Sequence, residues 1–241
     1  MIRVIGLLGA KGSGKDTLAK LLINRLGFVR LSFADALYRE VSEAYGVSTA
    51  FLENRKTKEK PLWKLRLANC KDLNFVEVAL LVRHSERCRS GWLGRLLNRG
   101  LSRMIRFLDM HLPRSPRWTL QVWGTEYRRG GKYGYDAYWI DKVRPVIEAN
   151  REARYVITDV RFLNEAKMVR ECNGILLRVR RPALEEREAA ARKAGVQTAW
   201  HRSETELAKY PVDAEALNRE GNPEALLESL EALLPELARA A

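Results

Sequence analysis

The residues with the clearest chemistry lie near the start of the chain, where a loop of glycines and lysines follows a short apolar run. Residues 9–15 read GAKGSGK and fit the pattern GxxxxGK. Glycines let successive backbone N–H groups curl around a phosphate without Cβ clashes, and a helix N-terminus adds partial positive charge. The closing lysine, Lys15, reaches the β and γ oxygens of a nucleotide in such loops. The segment therefore predicts binding of a nucleotide polyphosphate; the alternative is a glycine-rich turn with a chance lysine.

The residue after this lysine departs from the usual pattern. That position is ordinarily Ser or Thr, whose hydroxyl binds Mg²⁺, whereas this chain has Asp16 followed by Thr17. A carboxylate beside a polyphosphate is repelled unless it faces the metal, directly or through water, and Thr17 could instead contact the α-phosphate. The predicted ATP-binding residues are Lys11, Gly12, Ser13, Gly14, Lys15, Asp16 and Thr17.

A second acid ends an apolar stretch later in the chain. Residues 155–159, YVITD, are typical of a buried strand that ends at Asp159. Acids at strand ends near a phosphate loop hold Mg²⁺ or its waters, so Asp16 and Asp159 are the predicted metal ligands, directly or through water. The alternative for Asp159 is to cap the helix that begins near Phe162.

The order of the elements that position these residues indicates a parallel α/β sheet with a long insertion. Strand, glycine loop, helix and strand open the chain, and residues 47–118 then interrupt the alternation with a basic, mostly helical pattern. The predicted strands are 3–8, 28–33, 155–159, 175–179 and 212–217. The predicted helices are 16–26, one that follows the second strand and ends at about Tyr45, one from about 119, 136–150, 162–172, 183–194 and one from Asn222.

Charge and composition narrow the class of protein. The formal net charge is +13, and residues 79–118 hold nine arginines against only Glu86 and Asp109. Such a block could bind nucleic acid, but aromatics are sparse within it and no nucleic-acid module surrounds it, so we do not expect nucleic acid as the main partner. Arg128 and Arg129 are expected to be solvated charges. The absence of a long apolar run, a signal peptide and a CxxC pair predicts a cytoplasmic protein without a membrane span or zinc site.

Several stretches, taken together, resemble one family. They are GAKGSGKDT (9–17), LSFADALYREV (31–41), PRWTLQVWGTEYRR (116–129), YWIDKV (138–143), ITDVRFLNEAKMVRECNGILLRVRRP (157–182) and HRSETEL (201–207). The combination is similar to the deoxynucleoside monophosphate kinases of tailed bacteriophages, within the P-loop nucleotide kinase superfamily. The arginine-rich segment 62–115 matches nothing in that family.

The resemblance implies a P-loop NTPase-type three-layer α/β fold with about five parallel strands, a helical acceptor-binding insertion and a lid. Residues 1–46 and 119–241 would form the kinase core, with the lid at about 181–205, and residues 47–118 would form the insertion. The implied reaction moves the γ-phosphoryl group of ATP to a deoxynucleoside monophosphate with the help of Mg²⁺, in the host cytoplasm if a phage encodes the protein. The resemblance does not decide whether the protein is a monomer or a homodimer. Alternatives are another P-loop small-molecule kinase, of the dephospho-coenzyme A or phosphomevalonate type, or a nucleic-acid-stimulated ATPase or polynucleotide kinase.

The resemblance also implies roles for individual residues. The catalytic residues would be Lys15, Asp159 and Arg161, the acceptor-binding residues Lys11, Ser32, Asp35, Arg117, Gly124, Thr125 and Trp139, and the lid residues Arg180 and Arg181. Structural alternatives exist: Ser32 and Asp35 could cap the following helix, and Trp139 could be a core residue. Gly124 and Thr125 could shape a turn, and Arg161 could form an ion pair with Asp159.

Overall fold

The computed structural model describes residues 2–89, 102–193, 206–219 and 226. The chain divides into two compact units, one formed by Met1–Phe33 and Ile140–Ala241 and the other by Ala34–Trp139. The predicted insertion at 47–118 falls inside the second unit, whose bounds are wider. Within the described ranges, no helix combines the length and the apolar character needed to cross a membrane.

A five-stranded parallel sheet forms the centre of the first unit, which confirms the predicted fold class. Its strands are β1 (Val4–Leu8), β2 (Val29–Leu31), β3 (Tyr155–Ile157), β4 (Ile175–Arg180) and β5 (Ala214–Leu217), hydrogen-bonded in the order β2-β3-β1-β4-β5. In this register Ile5 of β1 lies between Val156 of β3 and Ile175 of β4. β1 is therefore the central strand, and its burial on both faces of the sheet explains its continuous apolar sequence.

Two helices of the first unit pack on opposite faces of this sheet. In chain order, the helices of the described residues in both units are α1 (Lys15–Leu26), α2 (Phe33–Tyr45), α3 (Thr49–Glu53), α4 (Leu73–Arg89), α5 (Ser102–His111), α6 (Pro116–Gln121), α7 (Ile140–Ala149), α8 (Leu163–Glu171) and α9 (Pro182–Lys193). Leu18 and Leu22 of α1 share a buried cluster with Ile5. The next residue of β1, Gly6, faces the other way, because a Cβ there would lie 3.1 Å from Val169 of α8. Successive residues of β1 thus face opposite sides of the sheet, one toward α1 and the next toward α8.

The strand order places a switch point, and with it a crevice, at the carboxyl ends of β1 and β3. β1 and β3 are neighbours, yet the chain leaves β1 toward β2 and leaves β3 toward β4, on the opposite side of β1. Parallel α/β sheets bind ligands outside the carboxyl ends of strands at such a switch point. The glycine loop follows β1 and Asp159 lies two residues beyond β3, so both predicted features lie at this edge.

The second unit is helical and has an aromatic centre. The Phe75 and Trp123 ring centroids are 4.5 Å apart, and Tyr127 packs edge-on against both rings. Residues Val122–Tyr127 form a π-helical turn, in which the Arg128 N–H donates to the Trp123 carbonyl oxygen at 3.0 Å. π-Turns inside helices are rare and often occur at functional sites.

Several predicted boundaries were wrong. The helix expected at 136–150 begins at Ile140, and the strands expected at 155–159 and 212–217 are Tyr155–Ile157 and Ala214–Leu217. Two further differences have local reasons. The helix expected from about residue 119 begins at Pro116, because Ser115 Oγ accepts the Trp118 N–H at 3.2 Å and a proline suits the first helical position. The second strand ends at Leu31, because α2 begins two residues later.

Two other predictions lie outside the described residues. They are the far part of the lid, 194–205, and most of the helix expected from Asn222. Leu226 alone is described there; it is helical and buried in the same cluster as α1.

Candidate functional site

The predicted phosphate loop joins β1 to α1. Its glycines Gly9, Gly12 and Gly14 have φ values of 137°, 84° and 109°. A Cβ at Gly9 would lie 2.3 Å from the Val179 carbonyl oxygen, so a larger residue does not fit there. Because Lys15 is the first residue of α1, the unpaired N–H groups of the first helical turn point toward the loop. The loop is built to present N–H donors to an anion.

The Lys15 ammonium lies against this loop. Its Nζ donates to the carbonyl oxygens of Gly9 at 2.5 Å and Ala10 at 2.7 Å. Lys11 and Asp16 are exposed on either side of it along the chain. The loop therefore carries a positioned positive charge in addition to its N–H groups.

Two side chains that are distant in sequence support the loop through its carbonyl groups. Arg181 Nη1 donates to the Gly12 oxygen at 3.2 Å, and Asn218 Nδ2 donates to the Ser13 oxygen at 2.8 Å. Sequence reasoning missed Asn218. The available signal was its position directly after the last predicted strand, at the edge of the sheet where the loop lies.

The carboxylate of Asp159 connects the ends of β3 and β2. Its Oδ2 accepts the Ser32 hydroxyl at 2.8 Å, and its Oδ1 accepts the Phe33 N–H at 3.0 Å. Phe33 is the first residue of α2, so Asp159 caps that helix rather than α8, which was the alternative considered from the sequence. The structure thus brings Ser32 and Asp159 together, as expected for residues of one site.

The start of α8 is held by two glutamates that sequence reasoning missed. Glu165 is buried, and its Oε2 accepts the Arg161 N–H at 2.7 Å and the Phe162 N–H at 3.1 Å. Glu206 Oε1 accepts the Leu163 N–H at 2.8 Å. The Arg161 guanidinium is exposed and forms no hydrogen bond or ion pair with the described residues. Its backbone is therefore fixed while its charge faces solvent.

The two predicted lid arginines have different surroundings. Arg181 contacts the phosphate loop, whereas Arg180 donates to Glu185 at 2.7 and 2.9 Å and to Glu215 at 3.2 Å. The hydrogen bonds to Glu185 and then Glu215 raise the pKa of the Arg180 guanidinium, and the bond to Arg180 lowers the pKa of Glu185. Of the pair, Arg181 alone reaches the loop within the described structure.

In the second unit, Arg117 lies in the first turn of α6, next to the loop that carries Lys58 and Glu59. Its guanidinium forms an ion pair with Glu59, and its N–H donates to the Lys58 carbonyl oxygen at 3.0 Å. Lys58 Nζ in turn donates to the Tyr38 hydroxyl at 2.6 Å. Asp35 is half-buried in the first turn of α2. Arg117 and Lys58 together place two positive charges beside α2.

Gly124, Thr125 and Trp139 meet at the π-helical turn. Trp139 is buried, and its indole N–H donates to the Gly124 carbonyl oxygen at 3.0 Å. A Cβ at Gly124 would lie 3.3 Å from Leu37 of α2, which leaves little room for a side chain. Thr125 is half-buried in the same turn. Trp139 therefore fixes the backbone that carries these two residues.

One carboxylate holds the other side of this turn. Glu40 accepts hydrogen bonds from Trp123 Nε1 at 2.9 Å, Arg128 Nε at 2.8 Å and the Tyr138 hydroxyl at 2.5 Å. Arg128 also lies over the rings of Tyr127 and Tyr138, at 4.3 and 4.8 Å from their centroids. The expectation that Arg128 is a solvated charge was therefore wrong. Burial, then the bond to Glu40, raises the pKa of Tyr138.

A cavity of about 390 Å³ opens in the second unit beside this network. It is lined by Glu40, Glu43, Ala44, Lys71, Asp72, Trp123 and Arg128. Asp72 also accepts the Tyr127 hydroxyl at 2.8 Å, and burial, followed by this bond, raises the pKa of Tyr127 to about 12. The lining combines both charge signs with one indole ring.

Two viral proteins that are similar in sequence to this chain are both named as kinases of deoxynucleoside or deoxynucleotide monophosphates. Over 193 residues the chain is 30% identical to the deoxynucleoside-5'-monophosphate kinase of Escherichia phage T5, covering 71% of this chain and 73% of that enzyme. Over 182 residues it is 29% identical to a protein of Acanthamoeba polyphaga mimivirus to which deoxynucleotide monophosphate kinase activity is provisionally ascribed, with 75% of each chain covered. No protein-family model matches the chain.

Solved structures resemble the chain only loosely. An unliganded sugar kinase from a Janibacter species aligns over 100% of this chain and 99% of its own, with 14% identity and a TM-score of 0.41. The Thermus thermophilus protein TT1252 aligns over 98% of both chains, with 21% identity and a TM-score of 0.40. The fold is therefore assigned from the sheet itself, and the family from the sequence relatives. By its similarity to the phage enzyme, the chain belongs to the deoxynucleoside monophosphate kinase family of phosphotransferases.

Proposed function

We propose that the protein transfers the γ-phosphoryl group of ATP to a deoxynucleoside monophosphate, giving a deoxynucleoside diphosphate and ADP. An oxygen of the acceptor phosphate forms a bond to the γ-phosphorus, while the bond from that phosphorus to the β–γ bridging oxygen breaks and the oxygen leaves with ADP. The acceptor phosphate is largely ionised at neutral pH, so the step needs no strong general base. Catalysis then consists of alignment and charge neutralisation.

The observation that carries this proposal is the phosphate loop with Lys15 at its end, in a chain of this family. The positive φ values of Gly9 and Gly14 give the loop its curl, and the first turn of α1 adds N–H donors. On binding ATP, the Lys15 ammonium would exchange carbonyl contacts for β and γ oxygens. Residues 11–17 would hold the phosphates, and Lys11 would also reach toward the acceptor.

The donor set at this edge of the sheet fits Mg²⁺. Asp16 and Asp159 supply hard carboxylate oxygens, the ligand type that Mg²⁺ prefers, and the Asp159 carboxylate is oriented by bonds from Ser32 and Phe33. We propose that both carboxylates hold the metal, directly or through water. Bound Mg²⁺ would neutralise charge on the β and γ oxygens. The bonds from Ser32 and Phe33 keep the Asp159 carboxylate in one orientation.

Among the arginines, Arg161 and Arg181 are the ones we propose to meet phosphate. Glu165 fixes the backbone of Arg161, and its guanidinium has no bond to the described residues. Arg181 already touches the loop at Gly12. Arg180 would have to leave its two glutamates to reach a ligand, so we give it a secondary role in the lid at about 181–205.

We propose that the acceptor-binding residues are Lys11, Ser32, Asp35, Arg117, Gly124, Thr125 and Trp139. The positive charge of Arg117 suits a phosphate, and binding would draw its guanidinium away from a single, largely exposed partner, Glu59. Trp139 would act through Gly124, because its buried indole supports that carbonyl group. Residues 47–118, inside the second unit, are proposed as the acceptor-binding insertion, with 1–46 and 119–241 as the kinase core.

The test is a coupled assay of ADP formation with ATP, Mg²⁺ and each common nucleoside and deoxynucleoside monophosphate. Lys15→Ala should lower kcat by about 10³-fold or more and leave the circular dichroism spectrum unchanged. Lys20→Ala is the matched control, because Lys20 is an exposed lysine of the same helix. Wild-type turnover by folded Lys15→Ala, or transfer to no monophosphate by the wild-type protein, would refute the proposal.

A further inference from the structure

Asn218 links the last strand of the sheet to the phosphate loop. Its Nδ2 donates to the Ser13 carbonyl oxygen at 2.8 Å, although the two residues are 205 positions apart. Its own N–H donates to the Arg180 carbonyl oxygen at 2.8 Å, which fixes it beside the end of β4. Asn218 is therefore anchored to the sheet and bonded to the loop at once.

The bond to Ser13 determines the orientation of one peptide group in the loop. A peptide unit is planar and trans, so its N–H points opposite to its C=O. With the Ser13 carbonyl directed at Asn218, the Gly14 N–H points away from Asn218. The Ser13 N–H is already used by the Ala10 carbonyl oxygen at 3.2 Å. Asn218 thus fixes the direction of the Gly14 N–H, which no contact within the loop fixes.

Glycine at position 14 makes this external support necessary and also makes it possible. Gly14 has φ of 109°, and a Cβ there would lie 2.3 Å from Asn218 Nδ2. The missing side chain lets the asparagine amide lie directly against the loop. Glycines also have little conformational preference, so a loop with Gly12 and Gly14 on either side of Ser13 needs a contact from outside to hold one shape.

We propose that Asn218 is a positioning residue for the polyphosphate of ATP: it holds the Ser13–Gly14 peptide so that the N–H groups at the start of α1 meet the β-phosphate. This inference rests on the proposed function, because it assumes that the loop binds ATP. Asn218 acts through the loop and needs no contact of its own with the ligand.

Two substitutions probe this role in different ways. Asn218→Ala removes the donor and should weaken ATP binding about tenfold, the value of one hydrogen bond to a group that must stay oriented. Asn218→Asp keeps the size, turns the donor into an acceptor facing the Ser13 carbonyl, and adds a negative charge near the polyphosphate. We expect it to weaken binding about 100-fold.

The control is Asn150→Asp, which makes the same chemical change near the amino ends of the strands, away from the phosphate loop. Asn150 Oδ1 accepts the N–H groups of Glu152 and Ala153, both at 3.2 Å, and a carboxylate can accept them equally well. Asn150 precedes β3, so it lies at the amino ends of the strands.

The experiment measures dissociation constants of the full-length proteins for ATP, ADP and inorganic tripolyphosphate by titration calorimetry, with thermal unfolding of each variant in parallel. We expect the Asn218 variants to lose the same factor for ATP and tripolyphosphate, with unfolding temperatures close to wild type and Asn150→Asp unchanged. Wild-type affinity in Asn218→Asp would overturn the inference alone. So would weakened ATP binding with intact tripolyphosphate binding, or a loss that follows reduced thermal stability. A wild-type protein that binds none of the three ligands would overturn the proposed function as well.

Discussion

Replacing Asp159 by Asn separates the two roles of this carboxylate, capping α2 and holding Mg²⁺. Asn keeps an oxygen for the Phe33 N–H, and the Ser32 hydroxyl can rotate to accept from the new amide. What disappears is the charge: a hydrogen bond to a charged group contributes about 1.5–3 kcal/mol, against about 0.5–1.5 kcal/mol for a neutral one. We therefore expect the free energy of unfolding to fall by about 1 kcal/mol in Asp159→Asn and by about 2–3 kcal/mol in Asp159→Ala, which loses both bonds.

A loss of about 1 kcal/mol leaves nearly all molecules folded, because domains are typically stable by 5–15 kcal/mol. Any large loss of activity in Asp159→Asn must then come from the site. If Asp159 holds the metal, kcat should fall about 10²-fold or more and half-maximal activity should need more Mg²⁺.

The assays are urea denaturation followed by circular dichroism, and coupled ADP formation across a range of Mg²⁺ concentrations. Asp213→Asn serves as control, since Asp213 also accepts a backbone N–H, from Leu176 at 2.7 Å, but lies at the amino end of β5. Wild-type kcat in folded Asp159→Asn would refute the metal role. Unchanged unfolding free energy in Asp159→Ala would refute the capping argument.

Three further changes test other parts of the structure. Glu40→Gln removes the charge that pairs with Arg128, and we expect urea denaturation to show a loss of about 2–3 kcal/mol; a loss below about 0.5 kcal/mol would contradict the network. Gly14→Ala forces an unfavourable φ, at a cost of about 1–3 kcal/mol, and should weaken ATP binding at least about tenfold in calorimetry; unchanged affinity would argue against the loop geometry. Tyr127 has a pKa of about 12 against an ordinary value of 10.0, so its contribution to stability is complete below pH 10 and is lost as pH rises to about 12. Between pH 10 and 12 the free energy of unfolding should therefore fall more steeply with pH in the wild type than in Tyr127→Phe. Equal slopes would contradict the raised pKa of Tyr127.

The first strand, loop and helix could be predicted because their signals are local. The apolar run of β1 comes from burial on both faces, and the leucine spacing of α1 comes from its contact with one of them. Gly27 ends α1 in the left-handed conformation, with φ of 66° and its N–H donating to the Ile23 carbonyl oxygen at 3.2 Å. Each of these features depends on residues within a few positions of one another.

The polar contacts that complete the site could not be predicted, because they join residues far apart in the chain. Asn218 and Ser13 are 205 positions apart, and Glu40 and Arg128 are 88 positions apart. A polar pair of this kind leaves no periodic pattern, and each partner alone resembles a solvated surface residue. Asp159 is an intermediate case. Its place near the carboxyl end of the third strand was predicted, but its hydrogen bond to the first residue of α2 was not.

The π-helical turn at Val122–Tyr127 has a consequence for how this protein tolerates change. A π-turn holds one residue more than an α-turn of the same kind, and it survives only where neighbouring groups compensate for poorer packing. Here the compensation comes from Glu40 on one side and Trp139 on the other. Deleting a single residue from the turn would allow regular α-helical hydrogen bonds there, and it would displace the groups that Glu40 and Trp139 contact. Selection for heat resistance alone would therefore not preserve the turn, although the turn carries Gly124 and Thr125 of the proposed acceptor site.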